Sequence, residues 1–250
     1  MFPEPVDPPV TTPEPSAPTL TERFVVLLEV LMCSDFPTQL ALGSTLAAFG
    51  YGPYGADGQL RVAYVVGLSL IDTVVLVGLV TLFLYAHGER PRDVLFGGQP
   101  AVREAAHGVP LILVALGIAA AVLLGVQHWA PSLHTVAQNP LEQMLGRPRD
   151  IWLFALVSIV AGGIREETQR AFLLHRFEVW LGGGTVGLVV TSVAFGFGHL
   201  IQGVDAAVAT ALLGAFWGMV YLRRRSTVAP MVSHAGFDLL QIVQVIAVGR

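Results

Sequence analysis

Long apolar runs, each near the length of a bilayer-spanning helix, alternate along this chain with short segments rich in Gly, Pro and Arg. A spanning helix needs about 20 mostly apolar residues. That criterion predicts helices near 24–49, 60–85, 107–128, 151–178, 184–201, 205–222 and 227–248. No run shows the period of two that a half-buried strand would give, so the expected fold class is all-α, a polytopic transmembrane bundle of about seven spans. Pro37 lies inside the first run and predicts a kink or split there. The fourth run is framed by Trp152 and Trp180. Those residues are roughly 42 Å apart along a helix, which suits a bilayer with its headgroup zones and a tryptophan at each interface.

Residues 1–20 are different. They hold Pro3, Pro5, Pro8, Pro9, Pro13, Pro15 and Pro18 with Glu4, Asp7 and Glu14. Too little apolar surface is available there to offset the entropy of ordering, so a disordered tail is expected. It lacks a basic stretch followed by an apolar one and does not read as a signal peptide.

Composition sharpens the choice of solvent. Hydrophobic residues make up 54% and charged residues only 13%, with a mean hydropathy of +0.66. A soluble domain carries about 25% charged residues. The net charge of −4 argues against a nucleic-acid partner. All 14 basic residues are arginine, which is read as compositional bias. Cys33 is the single cysteine, which excludes an intramolecular disulfide and suggests a small core residue.

Arginine placement sets the expected orientation, because cytoplasmic loops carry an excess of basic residues. With the N-terminus inside, inner segments hold Arg23, Arg90, Arg92, Arg103, Arg176, Arg223, Arg224 and Arg225. Outer segments hold Arg61, Arg147, Arg149 and Arg250. The expected location is a bacterial inner membrane, multi-pass, with the run Arg223–Arg225 as a cytoplasmic stop signal.

Against this apolar background the ionisable residues stand out. One charge at a helix centre costs roughly 2.5–3.5 kcal/mol on insertion scales. The fourth run places Arg165, Glu166, Glu167 and Arg170 within a few residues, near the midpoint between its tryptophans. Their charges cancel, and Glu166 or Glu167 can reach Arg170 at i,i+4 or i,i+3. Such a cluster must face protein or a wet cavity. The fifth run adds Phe195 and His199 at i,i+4, flanked by Gly196 and Gly198, and the seventh adds His234 and Asp238 at i,i+4. Carboxylates and two imidazoles on three helices can converge on one point, as a hydrolytic site requires.

These three segments read E-E-T-Q-R (Glu166–Arg170), F-G-F-G-H (Phe195–His199) and H-A-G-F-D (His234–Asp238). In that order they resemble the E-E-x-x-x-R, F-x-x-x-H and H-x-x-x-N motifs of the CAAX-protease and bacteriocin-processing family of intramembrane proteases. The resemblance covers roughly 150–245. It suggests a division into a tail (1–20), N-terminal transmembrane helices (21–150) and a catalytic transmembrane core (151–250). The first motif is one residue short. Aligned on the arginine, Arg165 takes the place of the leading glutamate; aligned on the acids, Glu166 and Glu167 keep their roles and Arg170 is shifted. The second alignment is preferred, because Arg165 cannot act as a base. The last motif ends in Asp238 where the family has asparagine.

The resemblance implies peptide-bond hydrolysis at or within the inner leaflet by glutamate- and histidine-activated water, without a covalent intermediate. Glu166, Glu167, Arg170, His199, His234 and Asp238 are the expected catalytic residues. His199 would relay the proton, and His234 with its neighbour would stabilise the oxyanion. An ionised Asp238 suits that last task badly, so it is expected to orient His234. No cofactor is expected, although a zinc ion on two histidines and a glutamate is the rival chemistry. The expected substrate is a peptide or protein, either prenylated at its C-terminus or a leader peptide. Other readings are an inactive relative acting as an immunity or scaffold protein, and a proton-coupled carrier using Glu29, Asp72 and the His/Glu cluster. Glu29, Asp35 and Asp72 otherwise read as polar glue between helices. His175 and Arg176 read as headgroup contacts, and His87, His107, His128 and His134 as residues without a function.

Overall fold

The computed structural model describes residues 18–56, 58–136 and 142–248; the expected tail falls almost wholly outside them. The described residues form helices joined by short turns, and an isolated bridge between Tyr54 and Leu60 is their only extended pairing. The helices are α1 (Leu20–Met32), α2 (Phe36–Ala48), α3 (Val62–Ala86), α4 (Pro91–Leu95), α5 (Ala101–Trp129), α6 (Pro148–Val157), α7 (Glu167–Trp180), α8 (Gly184–Gly198), α9 (Val204–Arg224) and α10 (Val228–Val248). Residues Ser158–Glu166 join α6 to α7 as a π-helical stretch, so the backbone runs helically from Pro148 to Trp180.

Helix boundaries follow local chemistry. At the start of α1, Thr19 and Glu22 form a reciprocal capping box. The kink expected at Pro37 occurs one step earlier, at Cys33–Asp35, where α1 and α2 meet at 48°. Pro37 sits instead in the first turn of α2, where its missing N–H leaves no helical bond unmade. The expected fifth span ends early: α8 stops at Gly198, and a 3-10 turn over Leu200–Gln202 follows.

Polarity is distributed inside out. Large apolar side chains such as Val74 (73% exposed), Leu113 (71%) and Phe197 (66%) point away from the bundle, whereas Glu29, Asp72, Arg165, Glu167, Arg170, Arg176 and His234 are buried within it. In water that arrangement would expose a large apolar surface and desolvate many charges. In a bilayer it satisfies both requirements. By length and composition α3, α5 and α9 can each cross a membrane, and the bent α1–α2 pair can form a fourth crossing. Of the three other expected spans, the Pro148–Trp180 run carries the charge cluster, α8 has only 15 residues, and α10 has 21 with His234 and Asp238 among them. The protein is therefore an all-α membrane bundle.

The arginine-rich loops meet at one end. Arg224 donates twice to Glu104 (2.7 and 2.6 Å), and Arg225 pairs with Glu178. Arg176, expected among headgroups, is instead fully buried. Its guanidinium binds Glu29 (2.9 Å), Glu89 (2.5 Å) and the Phe83 carbonyl (3.1 Å), and lies over the Phe172 ring. The reason is charge matching: two carboxylates from neighbouring segments make burial cheaper than a reach to the headgroups. His175 and His87 join the same network through Glu89 and Glu29. Burial pushes the Glu89 carboxyl up, but hydrogen bonds from His175 and Arg176 and their charges outweigh this and bring it down to about 2.

If basic loops stay inside, this end is cytoplasmic. Single cysteines at the exposed positions Arg103 and Arg223 should then react with an impermeant maleimide only in inverted vesicles, and one at Ser132 only in intact cells. The reverse pattern would overturn the orientation.

Candidate active site

The site is built where the π-helical stretch faces α10. Gly162 and Gly163 make that approach possible. A Cβ on Gly162 would lie 2.5 Å from Asp238 Oδ2, and one on Gly163 would lie 3.0 Å from Ala235 Cβ. The wider π turn ends at Glu166, so the two acids fall on either side of a change in helical geometry. Irregular turns of this kind are frequent at functional sites.

The two glutamates have different surroundings. Glu167 is 1% exposed and locked: Arg170 pairs with Oε1, and His234 Nδ1 donates to the same oxygen at 2.7 Å. Glu166 is 14% exposed and lines a cavity of about 580 Å³. Its Oε1 accepts from Arg165 at 3.1 Å, and its Oε2 lies 3.8 Å from His234 Nε2. Of the two expected pairings of Arg170, the i,i+3 one with Glu167 is formed.

His234 is held on two sides. Its Nδ1 bond to a carboxylate requires that nitrogen to carry the proton, which leaves Nε2 for chemistry. The indole of Trp217 on α9 stacks on the ring (centroids 3.9 Å apart, planes 15°), and Trp217 Nε1 donates to Ser233 Oγ at 3.1 Å. Arg170 lies over the Phe195 ring at 4.5 Å and the Trp217 ring at 5.7 Å, so the cation and both aromatics form one packed block. Sequence reading missed Trp217. It is one apolar residue among many on α9, and only its stacking partner reveals it.

Orientation of His234, expected of Asp238, comes from Glu167. Asp238 Oδ2 is 3.8 Å from His234 Nε2, beyond hydrogen-bond range, and lies against the bare backbone of Gly162. His199 caps the end of α8, where Nδ1 donates to the Phe195 carbonyl at 2.8 Å and the ring meets Phe195 edge-on. A carbonyl only accepts, so in the neutral ring Nε2 is the free acceptor. His199, Glu166, His234 and Asp238 all line the one cavity, whereas Glu167 and Arg170 stand behind it. Among the described residues no group of three or more His, Cys, Asp or Glu side chains is placed to hold a metal ion.

The cavity extends from Glu166 to the end of the bundle opposite the arginine-rich loops. There His134 Nδ1 donates to Asp205 Oδ2 (2.6 Å) beside Gln202. His134, expected to do nothing, thus ties the segment after α5 to the start of α9.

Residues 148–240 match the family model of the type II CAAX prenyl endopeptidase Rce1-like proteins. This segment is an Rce1-like domain. It contains all six expected site residues, from Glu166 to Asp238. No curated protein and no solved structure matches the chain. Outside the Rce1-like domain, the cavity wall includes Val65 and Ser69 of α3 and Ala119 and Leu123 of α5.

The stacked Trp217–His234 pair offers a direct readout. Protonation of a stacked imidazole quenches indole emission, so the fluorescence difference between the protein and Trp217→Phe should show a pH step. His234→Gln should abolish that step. A step of full amplitude in His234→Gln would show that the indole reports some other group.

Proposed function

We propose that the protein is an intramembrane endopeptidase in which Glu166 activates water for attack on a peptide carbonyl. The observation that carries this reading is the asymmetry of the two acids: Glu166 opens onto the cavity and Glu167 does not. Glu166 Oε2 takes a proton from water as the water oxygen bonds to the carbonyl carbon. The carbonyl π electrons move onto oxygen, giving a tetrahedral oxyanion. When the C–N bond breaks, its electron pair and the proton leave with the amine. His199 Nε2, the free acceptor on the cavity wall, is suited to carry that proton. His234, in its imidazolium form, donates Nε2–H to the oxyanion, the kind of interaction that contributes most in acyl transfer.

Asp238 closes the far side of the oxyanion pocket. An ionised carboxylate ~4 Å from an oxyanion would cost about 4 kcal/mol at an effective dielectric of 20, so it contributes there only as the acid form. The match to type II CAAX prenyl endopeptidases supports a prenylated peptide as substrate, and apolar lining residues such as Val65, Leu123 and Phe154 are compatible with a lipidated chain. A leader peptide is the other substrate class. With the arginine-rich end in the cytoplasm of a bacterial inner membrane, the cavity mouth lies at the outer face. Cleavage would then occur nearer the outer leaflet than the inner one.

The test uses purified protein in nanodiscs with quenched-fluorescent peptides, prenylated and not. Glu166→Gln should lower kcat/KM by about three decades, as loss of the base demands. Glu167→Gln should lower it by roughly 10- to 100-fold, because it loosens His234 without removing a reacting group. Activity should persist after dialysis against strong chelators. Full activity in Glu166→Gln, or loss on chelation with recovery on adding zinc, would defeat the mechanism.

A further inference from the structure

Arg165 occupies the place where the two alignments of the first motif diverge, and its surroundings give it a use. NH1 donates to Asp72 Oδ2 at 2.8 Å; NH2 is shared between Glu166 Oε1 at 3.1 Å and Asp35 Oδ2 at 3.3 Å. Asp72 is fully buried in the middle of α3. Asp35 sits at the break between α1 and α2 with φ at 75°, a conformation that a residue with a Cβ seldom adopts. Gln39 Nε2 donates to Asp35 Oδ2 at 2.8 Å and holds that carboxylate in place. The break thus occurs where it brings a carboxylate to Arg165, and backbone outliers of this kind cluster at functional sites.

A guanidinium is a planar fork that prefers to grip one carboxylate with two parallel N–H bonds. With Glu166 as its sole partner, Arg165 would take both carboxylate oxygens and hold the base shut. Asp72 occupies NH1, and Asp35 draws NH2 away from a fully committed bond. One contact to Glu166 remains, on Oε1, and Oε2 is left toward His234 and the cavity.

We propose that Asp72 and Asp35 are positioning residues of the Glu166 site, anchoring Arg165 so that it fixes one oxygen of Glu166 and leaves the other free to react. The proposal rests on the reading of Glu166 as the base. Both residues precede the Rce1-like domain at 148–240, so the N-terminal helices complete the site electrostatically. The charged groups around Glu166 are Arg165 and Glu167 on its own helical run, Asp35 at the α1–α2 break, Asp72 on α3, and His234 and Asp238 on α10. Asp72→Asn removes one negative charge from this set and releases NH1 toward Glu166.

The experiment compares the full-length protein in nanodiscs with Asp72→Asn, Asp35→Asn, Arg165→Gln and the Asp72→Asn/Arg165→Gln double variant, each checked for folding by its Tm. Asp72→Asn should lower kcat by roughly 10- to 100-fold, leave KM within about twofold, and move the acid limb of the kcat/KM profile to lower pH. Asp35→Asn should act in the same direction but less. In the Arg165→Gln background Asp72→Asn should lower kcat far less than it does alone, since its positioning influence passes through Arg165. An additive loss in the double variant would overturn the proposal. A second readout does not need turnover. Infrared spectra of the protein minus those of its Glu166→Gln variant isolate the Glu166 carboxylate, and Asp72→Asn should move its titration to lower pH. An unmoved titration would also overturn the proposal. If the titration moves while Glu166→Gln retains full activity, the positioning stands and the base assignment falls.

Discussion

A charge at bilayer depth has to be matched by a charge or dipole from another helix, and that requirement organises this protein. The helical run from Pro148 to Trp180 carries Arg165, Glu166, Glu167, Arg170 and Arg176. Each of these three arginines is answered from elsewhere or from one turn away: Arg165 by Asp72 and Asp35, Arg170 by Glu167, and Arg176 by Glu29 and Glu89. The central run is therefore clamped to the break between α1 and α2, to α3, and to the loop that follows α3. His234 adds the clamp to α10 through Glu167. Single apolar contacts could not set helix register so tightly in lipid, where the solvent is as apolar as the side chains.

The same matching separates two adjacent acids into two tasks. Glu167 spends both its hydrogen-bonding capacity and its charge on Arg170 and His234, and so sets the ring on which the proposed chemistry depends. Glu166 is held by one oxygen and faces the cavity with the other. Adjacent positions on a helix point about 100° apart, so Glu167 faces Arg170 and α10 while Glu166 faces the cavity. Trp217 and Phe195 then close the block around Arg170 and His234.

Much of this was legible in the sequence, for physical reasons. Runs of apolar residues at bilayer length announced the helices, and ionisable residues inside them had to converge because none could be left alone in lipid. The convergence of Glu166, His199, His234 and Asp238 on one cavity was readable on that ground. The partners were harder to read. Asp35, Asp72 and Glu29 looked like generic polar glue, since nothing in one sequence says which arginine a distant carboxylate will meet. Arg176 looked like a headgroup contact because its position near a helix end is ambiguous until Glu29 and Glu89 are seen beside it. The π-helical stretch has no sequence period of its own. Asp238 is expected to orient His234 because an ionised carboxylate suits an oxyanion pocket badly and Asp–His pairs fix the imidazole tautomer, but nothing in the sequence says that Glu167 from another helix takes Nδ1.

The account turns on which of the two acids is reachable, and chemical labelling measures that directly. Dicyclohexylcarbodiimide enters from the apolar phase and modifies carboxyls that it can touch in their protonated form. After brief treatment of the folded protein in nanodiscs, mass spectrometry of the Pro148–Trp180 run should find the adduct on Glu166 and none on Glu167. An adduct on Glu167, with Glu166 untouched, would contradict the assignment of the two acids and the function built on it.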